Sequence, residues 1–205
     1  MTTSSNLLWL IALPLFSSAI LILSGKRANS WGHVLATIVS ASSFTIGVVE
    51  FFAMHGRSDA NRAVTQKIFT WISVGSLNVD ASLMLDQLSI CFVLLITGVG
   101  TLIHVYSISY MSHDHDRRRF FAYLNFFIAS MLLLVLGDSY LNLYVGWEGV
   151  GLASYLLIGF WYKNQDFNDA AKKAFIMNRI GDLGFLIGIF IVGFLFNTLD
   201  YSTIK

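Results

Sequence analysis

Charge is scarce in this chain. Of its 205 residues only 12% are Asp, Glu, Lys or Arg, about half the share usual in a soluble domain. That scarcity excludes a water-soluble fold, and 56% hydrophobic residues with a mean hydropathy of +0.67 place the chain in lipid. Cysteine is nearly missing too. The single Cys91 sits in an apolar run and rules out an intrachain disulfide as well as a cysteine-rich metal or iron–sulfur site. The one proline, Pro14, falls in the first apolar run, where it is expected to kink a helix, and no Pro-rich or Ser-rich linker marks a second domain. A net charge of +1 leaves no basic face for nucleic acid. Nucleotide fingerprints of the GxGxxG or GxxxxGK[ST] type are absent, as are a GxSxG elbow and an HExxH zinc site. No Lys or Arg precedes the first apolar run, so it lacks the basic start of a secretory signal and reads as a retained helix.

What the chain does have is apolar runs of spanning length. They predict an all-α, polytopic membrane protein of about six transmembrane helices in a single domain, with spans at about 7–24, 31–54, 84–110, 120–136, 141–162 and 170–196, since each crossing takes roughly 20 residues. Connections are short except for 55–83, which carries Arg57, Arg62 and Lys67 and a β-like run from Ile68 to Val79. A small hairpin outside the membrane is expected there, and it needs helices to pack against. On alternate sides of six spans, Lys26, Arg27, Arg117, Arg118, Arg119, Lys163, Lys172 and Lys173 face Arg57, Arg62, Lys67 and Lys205. The richer side is expected to be cytoplasmic, leaving the N-terminus outside. Trp31, Trp161 and Tyr162 fall near helix ends, where aromatic rings anchor at the interface.

Ionisable side chains inside those spans carry the functional information, because each costs roughly 2.5 to 3.5 kcal/mol at mid-bilayer. Glu148 lies about 12 Å in from Tyr140 at the helical rise, and Asp182 about 18 Å in from Ala170 on the opposite side. In a core of about 30 Å the two depths meet. Arg179, three residues before Asp182, shares its helical face. Two carboxylates and a guanidinium at one level can exchange a proton near neutral pH, since desolvation and a nearby cation pull a carboxyl pKa in opposite directions. Arg179 with Asp182 also fits a structural ion pair. Tyr144, Gly151 and Tyr155 share the face of Glu148 and suit either a hydrated lining or ordinary packing. His104, inside the third span, is a candidate relay or a packing residue, and Asp86 at the start of that helix complements its dipole as a cap. His113, Asp114, His115 and Asp116 read as a solvated loop rather than metal ligands. Gly181, Gly184 and Gly188 are expected to let helices approach closely.

The run Leu143-Tyr-Val-Gly-Trp-Glu-Gly-Val-Gly-Leu-Ala-Ser-Tyr-Leu-Leu-Ile-Gly-Phe160, with Lys173-Ala-Phe-Ile-Met-Asn-Arg-Ile-Gly-Asp182, resembles subunit L (chain 5) of proton-translocating NADH-quinone oxidoreductase, respiratory complex I. Arg119-Phe-Phe-Ala-Tyr-Leu-Asn-Phe-Phe-Ile-Ala-Ser130 and Thr97-Gly-Val-Gly-Thr-Leu-Ile-His-Val-Tyr106 are similar to the family's preceding helices. The resemblance implies that Glu148, Arg179, Asp182 and His104 line or control an antiporter-like half-channel; Tyr144, Tyr155 and Asp86 are supporting candidates on position alone. It also implies a translocase subunit with no cofactor of its own, whose partners are other membrane-arm subunits and the lipid bilayer, while NADH, flavin, iron–sulfur clusters and quinone belong to partner subunits. General appearance places the chain in a bacterial plasma membrane rather than the mitochondrial inner membrane. Members of the family are several times longer and carry a seventh-helix lysine as partner of the glutamate; no counterpart occurs here. The chain is therefore expected to be an N-terminal fragment, a split gene product or a truncated copy. The alternative is part of a large subunit of a multi-subunit sodium/proton antiporter, which shares this helical ancestry; Trp147-Glu-Gly-Val-Gly151 favours the complex I type.

Overall fold

The computed structural model describes residues 6–58, 62–74 and 77–201. Among these, six α-helices and one β-hairpin follow in the order α1 (Leu7–Leu23), α2 (Gly32–His55), β1 (Val64–Val74), β2 (Leu77–Leu85), α3 (Gln87–Tyr110), α4 (Arg117–Leu136), α5 (Tyr140–Ile158) and α6 (Gln165–Phe196), with a short 3₁₀ turn at Gly25–Asn29. Helices α2, α3, α4 and α6 are long and apolar enough to cross a membrane, and α1 is an apolar helix of 17 residues. At 19 residues α5 is long enough, but Asn142, Glu148 and three tyrosines dilute its apolar character. The result is a multi-pass membrane protein. Pro14 is buried within α1, which runs unbroken through it.

Helix α4 is the hub, packing against α1, α2, α3 and α5, whereas α6 packs chiefly against α5. Close approach of α4 and α5 depends on two glycines. A Cβ on Gly146 would lie 2.4 Å from the Leu134 backbone nitrogen, and one on Gly149 would lie 2.6 Å from Ser130 Oγ. The glycines expected at helix contacts, Gly181, Gly184 and Gly188, are not at one: a Cβ on any of them meets nothing within 4 Å. Small residues permit close approach but do not select the face on which a neighbour sits.

The connections after α1, α3 and α5 gather at one end, where Asn29 Nδ2 donates to the His115 carbonyl at 2.8 Å and Trp161 Nε1 to Asp114 Oδ2 at 2.9 Å. Asp116 pairs with Arg119 at 3.1 Å. Arg119 also lies over the rings of Tyr123, Phe160 and Tyr162. Arg117, Arg118, Arg119 and Lys163 belong to this basic face; Lys205 lies outside the described residues. The hairpin occupies the opposite end. Its strands pair antiparallel with Val64 opposite Leu85 and Val79 opposite Ile72. Val64, Leu83 and Leu85 are buried with Leu7, Leu10, Met54 and Leu136, so helix ends supply the packing that two strands alone lack. Strand β2 extends through Met84 and Leu85, positions with the composition of a span. Asp86 then caps α3, accepting from Leu88 N at 3.1 Å and Ser89 N at 2.7 Å while Ser89 Oγ accepts from Asp86 N, a reciprocal capping box. At the other margin α6 starts at Gln165 rather than at Ala170, because Asn164 caps it by accepting from Asp166 N at 3.0 Å.

Candidate functional site

Gly146 and Gly149 turn one side of α5 onto α4, which leaves Trp147 and Glu148 directed at α6. There Arg179 Nη1 pairs with Glu148 Oε2, and the same nitrogen lies 3.8 Å from Asp182 Oδ2. Asp182 Oδ1 accepts from Trp147 Nε1 at 2.7 Å. The Arg179 guanidinium also sits over the Phe175 ring at 4.7 Å, where a cation is favoured. Glu148, Arg179, Asp182 and Trp147 thus form one cluster between α5 and α6, with the arginine bridging two carboxylates. Asp182 is buried, whereas Arg179 is nearly half exposed.

The balance of charge in the cluster is negative: two carboxylates share one guanidinium. Glu148 Oε1 is buried and without a hydrogen-bond partner among the described residues, so the site has an acceptor ready for a proton. A cavity of about 290 Å³ opens beside it, lined by Met131, Trp147, Gly151, Ser154, Asn178 and Asp182. Ser154, Asn178 and Asp182 place polar groups in a lining that is otherwise mostly apolar, with Leu134 and Val150 among its walls. The unpartnered Glu148 oxygen gives the cluster a place to bind a proton.

Other residues read from the sequence are distributed around this centre. Tyr144 packs on Phe185 at 5.9 Å and Tyr155 on Phe175 at 5.3 Å, so both face α6 above and below Glu148. His104 is elsewhere: it is fully buried in α3, with Nδ1 2.8 Å from the Gly100 carbonyl and its ring 5.8 Å from Phe121. Asn125 of α4 lies against the His104 ring. Asp86 caps α3 at the hairpin end and does not reach the cluster. Trp147 escaped the sequence reading because an indole in an apolar run looks like packing. Two buried polar residues escaped it as well. Glu50 of α2 accepts from Asn6 Nδ2 at 3.3 Å, and Asn125 of α4 donates to Ser17 Oγ at 2.9 Å. Glu50 lies within a turn or so of a helix end, where a charged residue ordinarily reaches water.

A profile of the family described as "NADH-Ubiquinone oxidoreductase (complex I), chain 5 N-terminus" matches residues 71–121, and one described as "NADH:quinone oxidoreductase/Mrp antiporter, TM" matches 137–205. NADH-quinone oxidoreductase subunit L of Mycobacterium tuberculosis is 56% identical over 98% of this chain and 32% of its own length. The subunit L of Escherichia coli K12 is 41% identical over 93% of this chain and 31% of its own. The chain belongs to this family. NADH-ubiquinone oxidoreductase chain 5 of Mycosarcoma maydis, 39% identical over 95% of this chain and 29% of its own, extends the likeness to a eukaryote. The chain thus spans about a third of the length of the curated subunit L relatives it matches. Its fold also matches a chain in the structure of a membrane-bound sulfane sulfur reductase, an archaeal respiratory membrane complex, with a TM-score of 0.79 at 18% identity, over 96% of this chain and 39% of that one. The family match includes Glu148, Arg179 and Asp182, which lie within 137–205, and His104, which lies within 71–121.

Proposed function

We propose that this chain is part of the proton-translocating membrane arm of NADH-quinone oxidoreductase and that its own contribution is the Glu148–Arg179–Asp182 cluster. The observation that carries this reading is a guanidinium held between two carboxylates on facing helices, beside a cavity that Ser154 and Asn178 reach, in a chain of this family. Arg179 divided between Glu148 and Asp182 is an electrostatic switch: drawn toward one carboxylate, it leaves the other less compensated and readier to take a proton. Asn178 and Ser154 orient water in the cavity, Trp147 fixes Asp182, and the apolar surround keeps the charges coupled. Oxidation of NADH and reduction of quinone, with the flavin and iron–sulfur clusters they need, belong to partner subunits, and other membrane-arm subunits flank this one. The setting is a bacterial plasma membrane with the basic face in the cytoplasm.

The second family profile is shared with Mrp antiporters, which keeps a multi-subunit sodium/proton antiporter as the alternative. Glu148→Gln, introduced into the chain in its assembled complex in membrane vesicles, removes the negative charge and keeps the shape. Proton uptake per NADH oxidised is expected to fall several-fold with the complex still assembled, since one charge interaction of roughly 1.4 kcal/mol is tenfold in an equilibrium. An unchanged ratio overturns the proposal. Sodium-dependent proton exchange in vesicles lacking the flavin and iron–sulfur subunits establishes the alternative.

A further inference from the structure

Helices α1 to α4 hold a polar contact of their own, in which the α5–α6 cluster takes no part. His104 of α3, Asn125 of α4 and Ser17 of α1 are all buried, and polar side chains shut away from water find their partners inside. Asn125 is where these meet. Its Nδ2 donates to Ser17 Oγ at 2.9 Å and to the Ala36 carbonyl of α2 at 3.5 Å, and the His104 ring lies against the same side chain. One amide thus touches three other helices.

His104 Nδ1 lies 2.8 Å from the Gly100 carbonyl, which can only accept, so Nδ1 carries a hydrogen. Nε2 is therefore the nitrogen whose hydrogen comes and goes. With both amide hydrogens of Asn125 turned to Ser17 and Ala36, its oxygen is what remains for His104. An oxygen there suits a ring with hydrogens on both nitrogens, the imidazolium. A neutral ring with its hydrogen on Nδ1 presents a bare Nε2, which calls for the amide nitrogen instead. Turning the amide over supplies that nitrogen and brings the oxygen to Ser17, whose hydroxyl donates as readily as it accepts. Only the long contact to the Ala36 carbonyl is lost, and that carbonyl is an acceptor within α2 already.

The other neighbours leave this choice to Asn125. The Phe121 ring packs on His104 at 5.8 Å and on His33 of α2 at 6.2 Å, and the Arg117 guanidinium sits over it at 6.0 Å. His33 and Arg117 are cationic when charged and oppose a charge on His104. Leu124 and Ile128 of α4 and Leu157 of α5, which line the adjoining cavity with His104, are apolar. Among the described residues no carboxylate pairs with His104.

We propose that His104 is a second proton-binding site, built into the α1–α4 body, and that Asn125 is its positioning residue. The amide oxygen faces the ring when it holds two protons, and the amide nitrogen faces it when it holds one. Binding at His104 stands on these contacts; a part in translocation rests on the function proposed above.

Nitrogen-15 NMR of the complex in lipid vesicles, labelled in histidine and in the asparagine side chain, reads both groups. Signals lost in His104→Gln and in Asn125→Leu assign them. As pH falls from about 9 to about 5, Nε2 of His104 is expected to pass from bare to protonated while Nδ1 stays protonated, and the Asn125 amide to shift with the same midpoint. Asn125→Leu removes the oxygen and is expected to lower the midpoint by about one unit, the worth of one hydrogen bond to a charged group. Asn125→Asp puts a carboxylate there and is expected to raise it by about 1–3 units. A side chain that only packs would not shift the midpoint in opposite directions. A ring with one hydrogen throughout that range, or an amide signal that stays fixed while the ring titrates, overturns the proposal. So does an unchanged midpoint in the isosteric Asn125→Asp, which carries the test alone if Asn125→Leu fails to assemble. The pH profile of proton uptake per NADH oxidised tests transport separately: a shift in Asn125→Asp matching that of the ring supports a part in translocation, and an unmoved profile overturns it. If Glu148→Gln pumps normally while the ring and the amide titrate as described, the translocation reading fails and the site at His104 stands.

Discussion

At Asp182 two donors converge from different helices, and they differ in kind. Arg179 reaches it from one turn away on α6 at 3.8 Å, but the indole of Trp147 crosses from α5 at 2.7 Å. Trp147→Phe keeps the ring in the interface and removes only the N–H, leaving a buried oxygen without its donor at a cost of about 1–3 kcal/mol. The expected outcome is a lower unfolding midpoint of the purified complex together with altered pH dependence of pumping, whereas Trp147→Phe indistinguishable from wild type would show the hydrogen bond to be idle. Glu148, Arg179 and Asp182 were legible in the sequence because a charge in an apolar run is conspicuous, and because helical rise converts position into depth. Trp147 was not legible: nothing in a linear sequence distinguishes an indole that packs from one that donates. The depth argument grouped Arg179 with both carboxylates, but spacing along α6 names only Asp182 as its partner, and the direct pairing with Glu148 is what the structure adds.

Glycine separates α5 from α6 as elements. Gly146 and Gly149 carry the α4–α5 contact, while Gly181, Gly184 and Gly188 face open space. Gly146→Ala places a methyl group against the Leu134 backbone, which cannot swing aside, and is expected to cost about 1–3 kcal/mol by overpacking. Gly184→Ala meets nothing in this structure and adds helix propensity, so its expected effect is neutral or slightly stabilising. Thermal unfolding of the two variants side by side checks the contrast; equal losses would mean that both glycines touch a neighbour. Of the elements, the six apolar runs and the hairpin could be read from composition and alternation. Margins were less legible where polar residues continue a helix: Asp166, Asn168 and Asp169 look like loop, yet the Asn164 cap recruits them into α6. The start of α3 was misplaced for the converse reason, since Met84 and Leu85 are as apolar as a span but pair in β2 with Thr65 and Val64.

Over the whole molecule, the basic connections gather at one end and the hairpin at the other, so a single topology follows from a single side assignment. With Cys91→Ser as background, Ser73→Cys on the exposed hairpin and Lys163→Cys on the basic face are expected to react from opposite sides. A membrane-impermeant thiol reagent added to intact cells should label position 73 and spare position 163; the reverse pattern would invert the orientation drawn from the loop charges. The contact between α4 and α5 has a consequence for motion. Where backbone meets would-be Cβ at 2.4 Å there is no slack for sliding, and α4 is in turn wedged among α1, α2 and α3. These five helices form one packed body, and α6 is seated chiefly on α5, where the pairing of Arg179 with Glu148 crosses the contact. On the proposed function, a proton at Glu148 weakens a charge pairing that joins α6 to this body.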